Sequence, residues 1–317
     1  MQIKEIYRAE KKISSWIRRT PMEFSPFLSE LCRCKVWLKL ENHQITGSFK
    51  IRGATNKILS LNLGESVKGI VTASSGNHGQ GLSYIAKVLG VKAIIVVPRN
   101  TPKVKIKAIE NYGVDLNVFG NEYIEAEMKA REIASSLDMT YVSPYNDLDI
   151  IAGQGTVGLE MLEEKPCLDT VLVPVGGGGL ISGVGTVFKE FGKNRKVYGV
   201  QSYASPVMYE SIKSGKIVDI EVLDSFAEGL HGGIEKNSVT FDYCKKLVDK
   251  FKLVEEDKIL EAIKFCLINH RMLVEGAGAV GVAALINNPE EFYNRKVGLV
   301  ISGGNIGQGL LKKVINN

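Results

Sequence analysis

The chain is poor in the features that would take it out of ordinary globular protein. Cysteine numbers five in 317 residues, an odd count too thin for a disulfide framework. Cys32 and Cys34 lie one residue apart in what reads as a strand region, which would put their side chains on one face, and no second Cys or His pair follows at zinc spacing. No metal site is expected, and all five cysteines read as reduced thiols of a cytoplasmic protein. Long apolar runs are missing as well. The longest uncharged stretch, Thr170 to Phe188, is broken by Pro174 and a glycine cluster, so no membrane span is expected. The N-terminus alternates charged and apolar residues and lacks the apolar core of a signal peptide. Internal repeats, low-complexity tracts and Pro-rich linkers are absent. Charge of one sign is scarce: Lys+Arg 40 against Asp+Glu 35 leaves +5, spread without a basic block, which speaks against a nucleic-acid partner.

What is present is an alternation of short apolar runs with longer helical stretches. Strands are expected at Val36–Leu40, Gly69–Ala73, Ala93–Val97, Asp115–Val118, Thr170–Val175, Lys196–Gln201 and Val297–Ile301. Runs such as Ala-Ile-Ile-Val-Val at 93–97 suit strands buried on both faces of a parallel sheet. Helices are expected at Gly81–Leu89, Thr101–Tyr112 and Ile124–Leu137, in the last of which Ala126, Ala130, Ile133, Ala134 and Leu137 recur every three or four positions. This order implies an α/β architecture with right-handed crossovers. Two sets of strands, about 54–145 and from about 150 onward, fit a small domain inserted into a larger one, with a ligand cleft between them.

Four glycine-centred segments follow expected strands, where open α/β sheets bind ligands. The run Gly176–Gly179, with Leu180 opening a helix, offers free N–H groups and positive φ angles to an anion. It matches neither GxGxxG nor a P-loop; a tight packing turn is the bland alternative, but four glycines in a row exceed what a turn needs and point to a bound phosphate. Lys50 follows Gly47, Ser48 and Phe49; a lysine is usually a surface residue, but one desolvated here would be an amine of lowered pKa able to form a Schiff base. Ser74, Ser75, Gly76, Asn77 and His78 open a helix and could hold a carboxylate, although an ordinary N-cap needs only one such side chain. Ser302, just past an apolar strand, is equally a cap by default.

Together, Gly47-Ser-Phe-Lys-Ile-Arg-Gly-Ala54, Ser74-Ser-Gly-Asn-His-Gly79, the tetraglycine and Ser302-Gly-Gly-Asn305 resemble the fold-type II pyridoxal-phosphate enzymes of the threonine dehydratase and serine racemase family. The resemblance runs from about Ile13 to the C-terminus. It implies two open, twisted, mostly parallel sheets flanked by helices, with a large cofactor-binding domain (1–53 and 146–317) and a small substrate-binding domain (54–145). By resemblance, Lys50 carries pyridoxal phosphate covalently and acts as base, and Phe49 packs on the cofactor ring. Asn77 bonds the ring hydroxyl, Gly176, Gly177, Gly178, Gly179 and Leu180 hold the phosphate, and Ser302 faces the pyridine nitrogen. Ser74, Ser75, Asn77 and His78 line the substrate site, and Ser75 stands where serine racemases carry the acid/base of the second face.

The implied activity is loss of water from a β-hydroxy amino acid, L-threonine or L-serine, giving a 2-oxo acid and ammonia. A serine or other amino-acid racemase and a 3-hydroxyaspartate dehydratase are the enzyme alternatives, and a non-catalytic binding protein is the alternative of another class. The partners implied are a small amino-acid substrate and further copies of the chain, as a dimer or tetramer. Gln201 and Val207 replace the two acidic metal ligands of animal-type racemases, and Gly232 and Gly233 replace serines. Ending at Asn317, the chain is not expected to hold the C-terminal regulatory domain of biosynthetic threonine dehydratases.

Overall fold

The computed structural model describes residues 1–316. Among the described residues, ten strands form two sheets. The larger sheet contains β1 (Met22–Phe24), β2 (Lys35–Leu40), β7 (Thr170–Pro174), β8 (Lys196–Ser202), β9 (Lys250–Val254) and β10 (Lys296–Ile301), in the order β1-β2-β10-β7-β8-β9. Its strands are parallel except β1, which runs antiparallel to β2. The smaller sheet contains β3 (Ile70–Ala73), β4 (Ala93–Val97), β5 (Asp115–Val118) and β6 (Thr140–Tyr141), all parallel, in the order β5-β4-β3-β6. All four of its strands fall within the interval between β2 and β7.

The seven strands expected from the sequence are present to within a residue at either end. Those missing from the expectation, β1, β6 and β9, are short or amphipathic edge strands. β6 has two residues, and β9 (Lys-Phe-Lys-Leu-Val) has a charged, half-buried pattern that a continuous apolar run does not reveal. The central strands follow the physics of a sheet covered on both faces. In β7, Leu172 enters the cluster that covers one face, with Ala277–Leu285, while Val171 and Val173 enter the cluster on the other face. Period-two alternation thus yields an apolar residue at every position. No helix is long and apolar enough to cross a membrane among the described residues.

Cys32 and Cys34 are not in a strand: Cys32 caps the helix Pro26–Leu31, and the two flank Arg33, whose φ is +48°. The apolar pattern there belongs to a turn packed into the core. All five cysteines are free; four are buried and Cys167 is exposed.

Three helices set the geometry of the cleft. The helix Leu148–Glu164 lies between the helix Lys50–Ser60 and the helix Gly179–Glu190, and glycines form both seams. A Cβ at Gly153 would stand 2.6 Å from the Gly53 Cα, and one at Gly183 would stand 2.5 Å from the Gly155 nitrogen. Only hydrogen side chains allow backbones this close. The seams place the N-terminal ends of the outer two helices, Lys50 and Gly179, beside the same connecting segment, Ser143–Asp147.

Candidate active site

Lys50 opens its helix directly after Phe49. The loop before it is tied to the end of β10: the Phe49 N–H donates to the Ser302 carbonyl at 3.1 Å, Gly304 N–H to the Gly47 carbonyl at 2.9 Å, and Ser48 bridges Gly303. The Lys50 Nζ donates to the Pro144 carbonyl at 2.9 Å and lies 5.3 Å from the Phe49 ring centre. Burial pulls its pKa down to about 8, against the opposing pull of Glu275. A substantial fraction of the side chain is therefore a neutral amine near physiological pH, the form that attacks a carbonyl or removes a proton.

The tetraglycine sits where β7 meets the helix Gly179–Glu190. Gly178 has φ +85°, in the left-handed region. None of the N–H groups from Gly176 to Leu180 donates to another backbone group, as expected for a nest joined to a helix start. A Cβ at Gly177 would stand 2.4 Å from the Tyr145 ring. The glycines therefore serve a close approach by Tyr145 and also leave a row of free donors that a packing turn alone does not need. Leu180 is buried behind them.

At the end of β3, the helix Asn77–Leu89 begins with Gly76 as its cap, and no side chain caps it. The capping reading of Ser74 and Ser75 is thus corrected: Ser74 Oγ accepts only from the Gly76 N–H, at 3.3 Å, and the half-buried Ser75 hydroxyl takes no part in the helix start. Asn77 Nδ2 donates to Glu275 Oε1 at 2.7 Å, and its Oδ1 accepts from Asn305 Nδ2 at 2.7 Å. His78 is 2% exposed, with neither ring nitrogen hydrogen-bonded. Burial, and then the charge of Lys50, push its pKa down to about 3, so the imidazole is neutral. Ser302 is buried at the end of β10.

The fold brings in groups that the sequence did not single out. Glu275, just ahead of the helix Gly276–Asn287, reaches Asn77 across 198 residues of chain, and burial raises its pKa to about 7. A carboxylate directly before the Gly/Ala-rich run Gly276–Ala279 was the available signal. Asn305 belongs to a motif already noted, but its link to Asn77 is tertiary. Tyr145 had no sequence signal at all. Gln201, at which no metal ligand is expected, spans its own turn: Nε2 donates to the Ser205 carbonyl at 3.3 Å, and Oε1 accepts from the Tyr209 N–H at 2.8 Å.

The arrangement brings together a buried lysine amine of lowered pKa, a row of free backbone donors and a carboxamide held by a carboxyl of raised pKa. Comparison with known proteins agrees with it. The chain is 42% identical over 315 residues to an L-threonine ammonia-lyase of Thermotoga maritima, covering 99% of this chain and 78% of that protein. It is 40% identical over 306 residues to a catabolic L-threonine dehydratase of Staphylococcus aureus, covering 95% of this chain and 88% of that one. The solved structure of maize serine racemase superposes with a TM-score of 0.93 at 32% identity, covering 99% and 97% of the two chains. The family described as "Pyridoxal-phosphate dependent enzyme" matches residues 13–303, and the chain belongs to that family.

Proposed function

We propose that this protein is an ammonia-lyase that removes water from L-threonine or L-serine and yields a 2-oxo acid and ammonia. The observation that carries the reading is the convergence of the Lys50 amine, the free N–H groups of Gly176–Leu180 and Asn77 on one cleft. Relatives named threonine ammonia-lyase and threonine dehydratase, similar over nearly the whole chain, support the choice of reaction.

These residues fit pyridoxal phosphate, the cofactor of the family. The unpaired donors and the left-handed Gly178 suit a phosphate. Lys50, with its lowered pKa, suits a covalent link to an aldehyde. Phe49 would pack on the ring, Asn77 would hold the ring hydroxyl, and Ser302 would offer the ring nitrogen a hydroxyl in place of a carboxylate. When bound, pyridoxal phosphate supplies an electron sink for charge at the substrate Cα. The chain's own part is to place Lys50 Nζ as the base for the α-proton. The loop from Ser74 to His78 would receive the substrate carboxylate, and neutral His78 would offer it a ring N–H. Glu275 holds Asn77 in orientation through its 2.7 Å hydrogen bond.

A second reading, amino-acid racemisation, has one observation in its favour: the Ser75 hydroxyl lies half-buried in the substrate loop with no capping task. An ammonia-release screen over L- and D-serine, L- and D-threonine and 3-hydroxyaspartate, with chiral analysis of the unreacted amino acid, separates the two. Ammonia from the L-substrates with no enantiomer formed supports the lyase; equilibration of enantiomers without ammonia overturns it.

We also propose the division into a large domain (1–53 and 146–317) and a small one (54–145), supported by the separation of the two sheets. Self-association is supported by exposed apolar residues around β1 and its neighbours, Phe24, Phe27, Leu31 and Leu273. A cytoplasmic setting is supported by five unpaired cysteines.

A further inference from the structure

The segment Ser143–Asn146 carries two groups that matter to the cleft. The Pro144 carbonyl accepts from Lys50 Nζ at 2.9 Å. The Tyr145 ring lies against the Gly177 backbone. The segment is a loop, so neither group is held by a sheet or helix ladder. One residue grips it on every polar side chain. Glu235 Oε1 accepts from Ser143 Oγ at 2.9 Å and Oε2 from Asn146 Nδ2 at 3.0 Å, while the Glu235 N–H donates to the Tyr145 hydroxyl at 2.8 Å. Glu235 comes from the loop between Leu230 and Val239, far along the chain. The same carboxylate accepts from Arg131 Nη2 at 3.0 Å. Arg131 lies on the helix Tyr123–Ser136 of the smaller-sheet half, where it stacks on Tyr141 at 4.1 Å and pairs with Glu127.

We propose that Glu235 is a positioning residue: it fixes the carbonyl that orients Lys50 and the ring that packs on the glycine loop, and its pair with Arg131 couples both to the half of the molecule that carries Ser74–His78. Four hydrogen bonds to charged or polar partners converge on one partly buried side chain and its own N–H. Carboxylate bonds of this kind are roughly twice as strong as neutral ones. Misplacing a reacting group by about 1 Å costs up to about a hundredfold in rate, so the clamp has direct leverage on turnover without touching substrate. The inference rests on the reading of Lys50 as the reactive lysine.

The test uses Glu235→Ala and Glu235→Gln in the full chain. Hydrogen exchange is followed by mass spectrometry on cofactor-free protein, and kcat and KM for L-threonine and L-serine are measured on the holoenzyme. In Glu235→Ala, exchange should speed up by about tenfold or more in residues 142–146 and in the helix Tyr123–Ser136, and stay unchanged in β7 and β10. Its kcat should fall by about ten- to a hundredfold with KM within about threefold, the signature of a lost chemical-step interaction. Glu235→Gln keeps neutral hydrogen bonds to Ser143 and Asn146 but not the ion pair. It should restore most of kcat and protection of 142–146, while the helix Tyr123–Ser136 stays faster. Unchanged exchange of 142–146 in Glu235→Ala overturns the proposal, as does faster exchange there with wild-type kcat. Retention of turnover by Lys50→Ala overturns the reading of Lys50 instead, and leaves the exchange result standing as a structural clamp.

Discussion

Two regions two residues apart treat buried charge in opposite ways. Arg52 is fully buried, and its guanidinium meets both Glu41 oxygens at 2.8 Å and the two Glu160 oxygens at 2.7 and 2.8 Å. Lys39 adds a contact to Glu160 at 2.6 Å. Two cations face two carboxylates. The carboxylates hold Arg52 well above its usual range against burial, and the two cations hold Glu160 below its usual range. Arg52 and Glu160 are thereby held in their charged forms. Lys50 and Glu275, by contrast, have no such partners. Burial brings the amine down to about 8 and the carboxyl up to about 7. Complete pairing makes a brace between β2 and two helices, with nothing left to react. Incomplete pairing makes groups that gain and lose protons near neutral pH, which is what acid–base chemistry requires.

The largest expected effect falls on the incomplete region. Lys50→Ala should lower turnover by about a thousandfold or more and abolish borohydride-trappable attachment of cofactor to the protein. A trapped adduct on the variant, found by peptide mass mapping, would break the contrast, because another lysine would then be the reactive one.

Breaking the paired region should instead damage the fold. Arg52→Met leaves two buried carboxylates facing one lysine and should cost about 3–5 kcal/mol in urea unfolding. A loss under about 1 kcal/mol would mean that the brace is solvated in solution. The pH direction follows from Glu160. Its folded pKa is depressed, so its stabilisation is present above the unfolded carboxyl pKa and fades as pH falls through the folded value. The Arg52→Met deficit should therefore shrink in acid.

Ser75→Ala asks whether a third polar group belongs with the reactive pair. L-threonine dehydration should survive within about tenfold. Any α-proton exchange of D-serine with deuterated solvent should drop by about a hundredfold. A wild-type protein that exchanges no α-proton of D-serine would leave Ser75 without a chemical role.

The smallest effect concerns Glu275. Its folded pKa is raised, so its share of stability is fully present below the unfolded value near 4.5 and is lost as pH rises through about 7. Glu275→Gln should remove that loss and make the cofactor-free protein about 2–3 kcal/mol more stable relative to wild type at pH 8 than at pH 5. Identical pH–stability curves for the two proteins would show that the carboxyl titrates as an exposed one and would weaken its contrast with Glu160.

Much of this was legible in the chain itself, because the signals are local. Apolar runs in β4 and β7 require burial on both faces, and four consecutive glycines before Leu180 require an unusual backbone. Lys50 could be found only by its neighbours Gly47, Ser48, Phe49 and Gly53, whose spacing carries the family resemblance. Local signals also mislead: Ser74 and Ser75 look like caps, yet Gly76 takes that position, and Cys32 and Cys34 look like strand residues, yet they bracket a turn.

The sequence alone determined seven of the ten strands, the glycine loop and the candidate lysine, since each depends on residues within about a turn or strand of one another. Only the tertiary structure decided which carbonyl meets Lys50, that Glu275 faces Asn77, and that Glu235 and Arg131 hold the segment around Tyr145. Glu235 and Glu275 are ordinary residues in the sequence. Their contacts come from partners supplied across roughly a hundred to two hundred residues, where the glycine seams of Gly53, Gly153, Gly155 and Gly183 let three helices pack closely together.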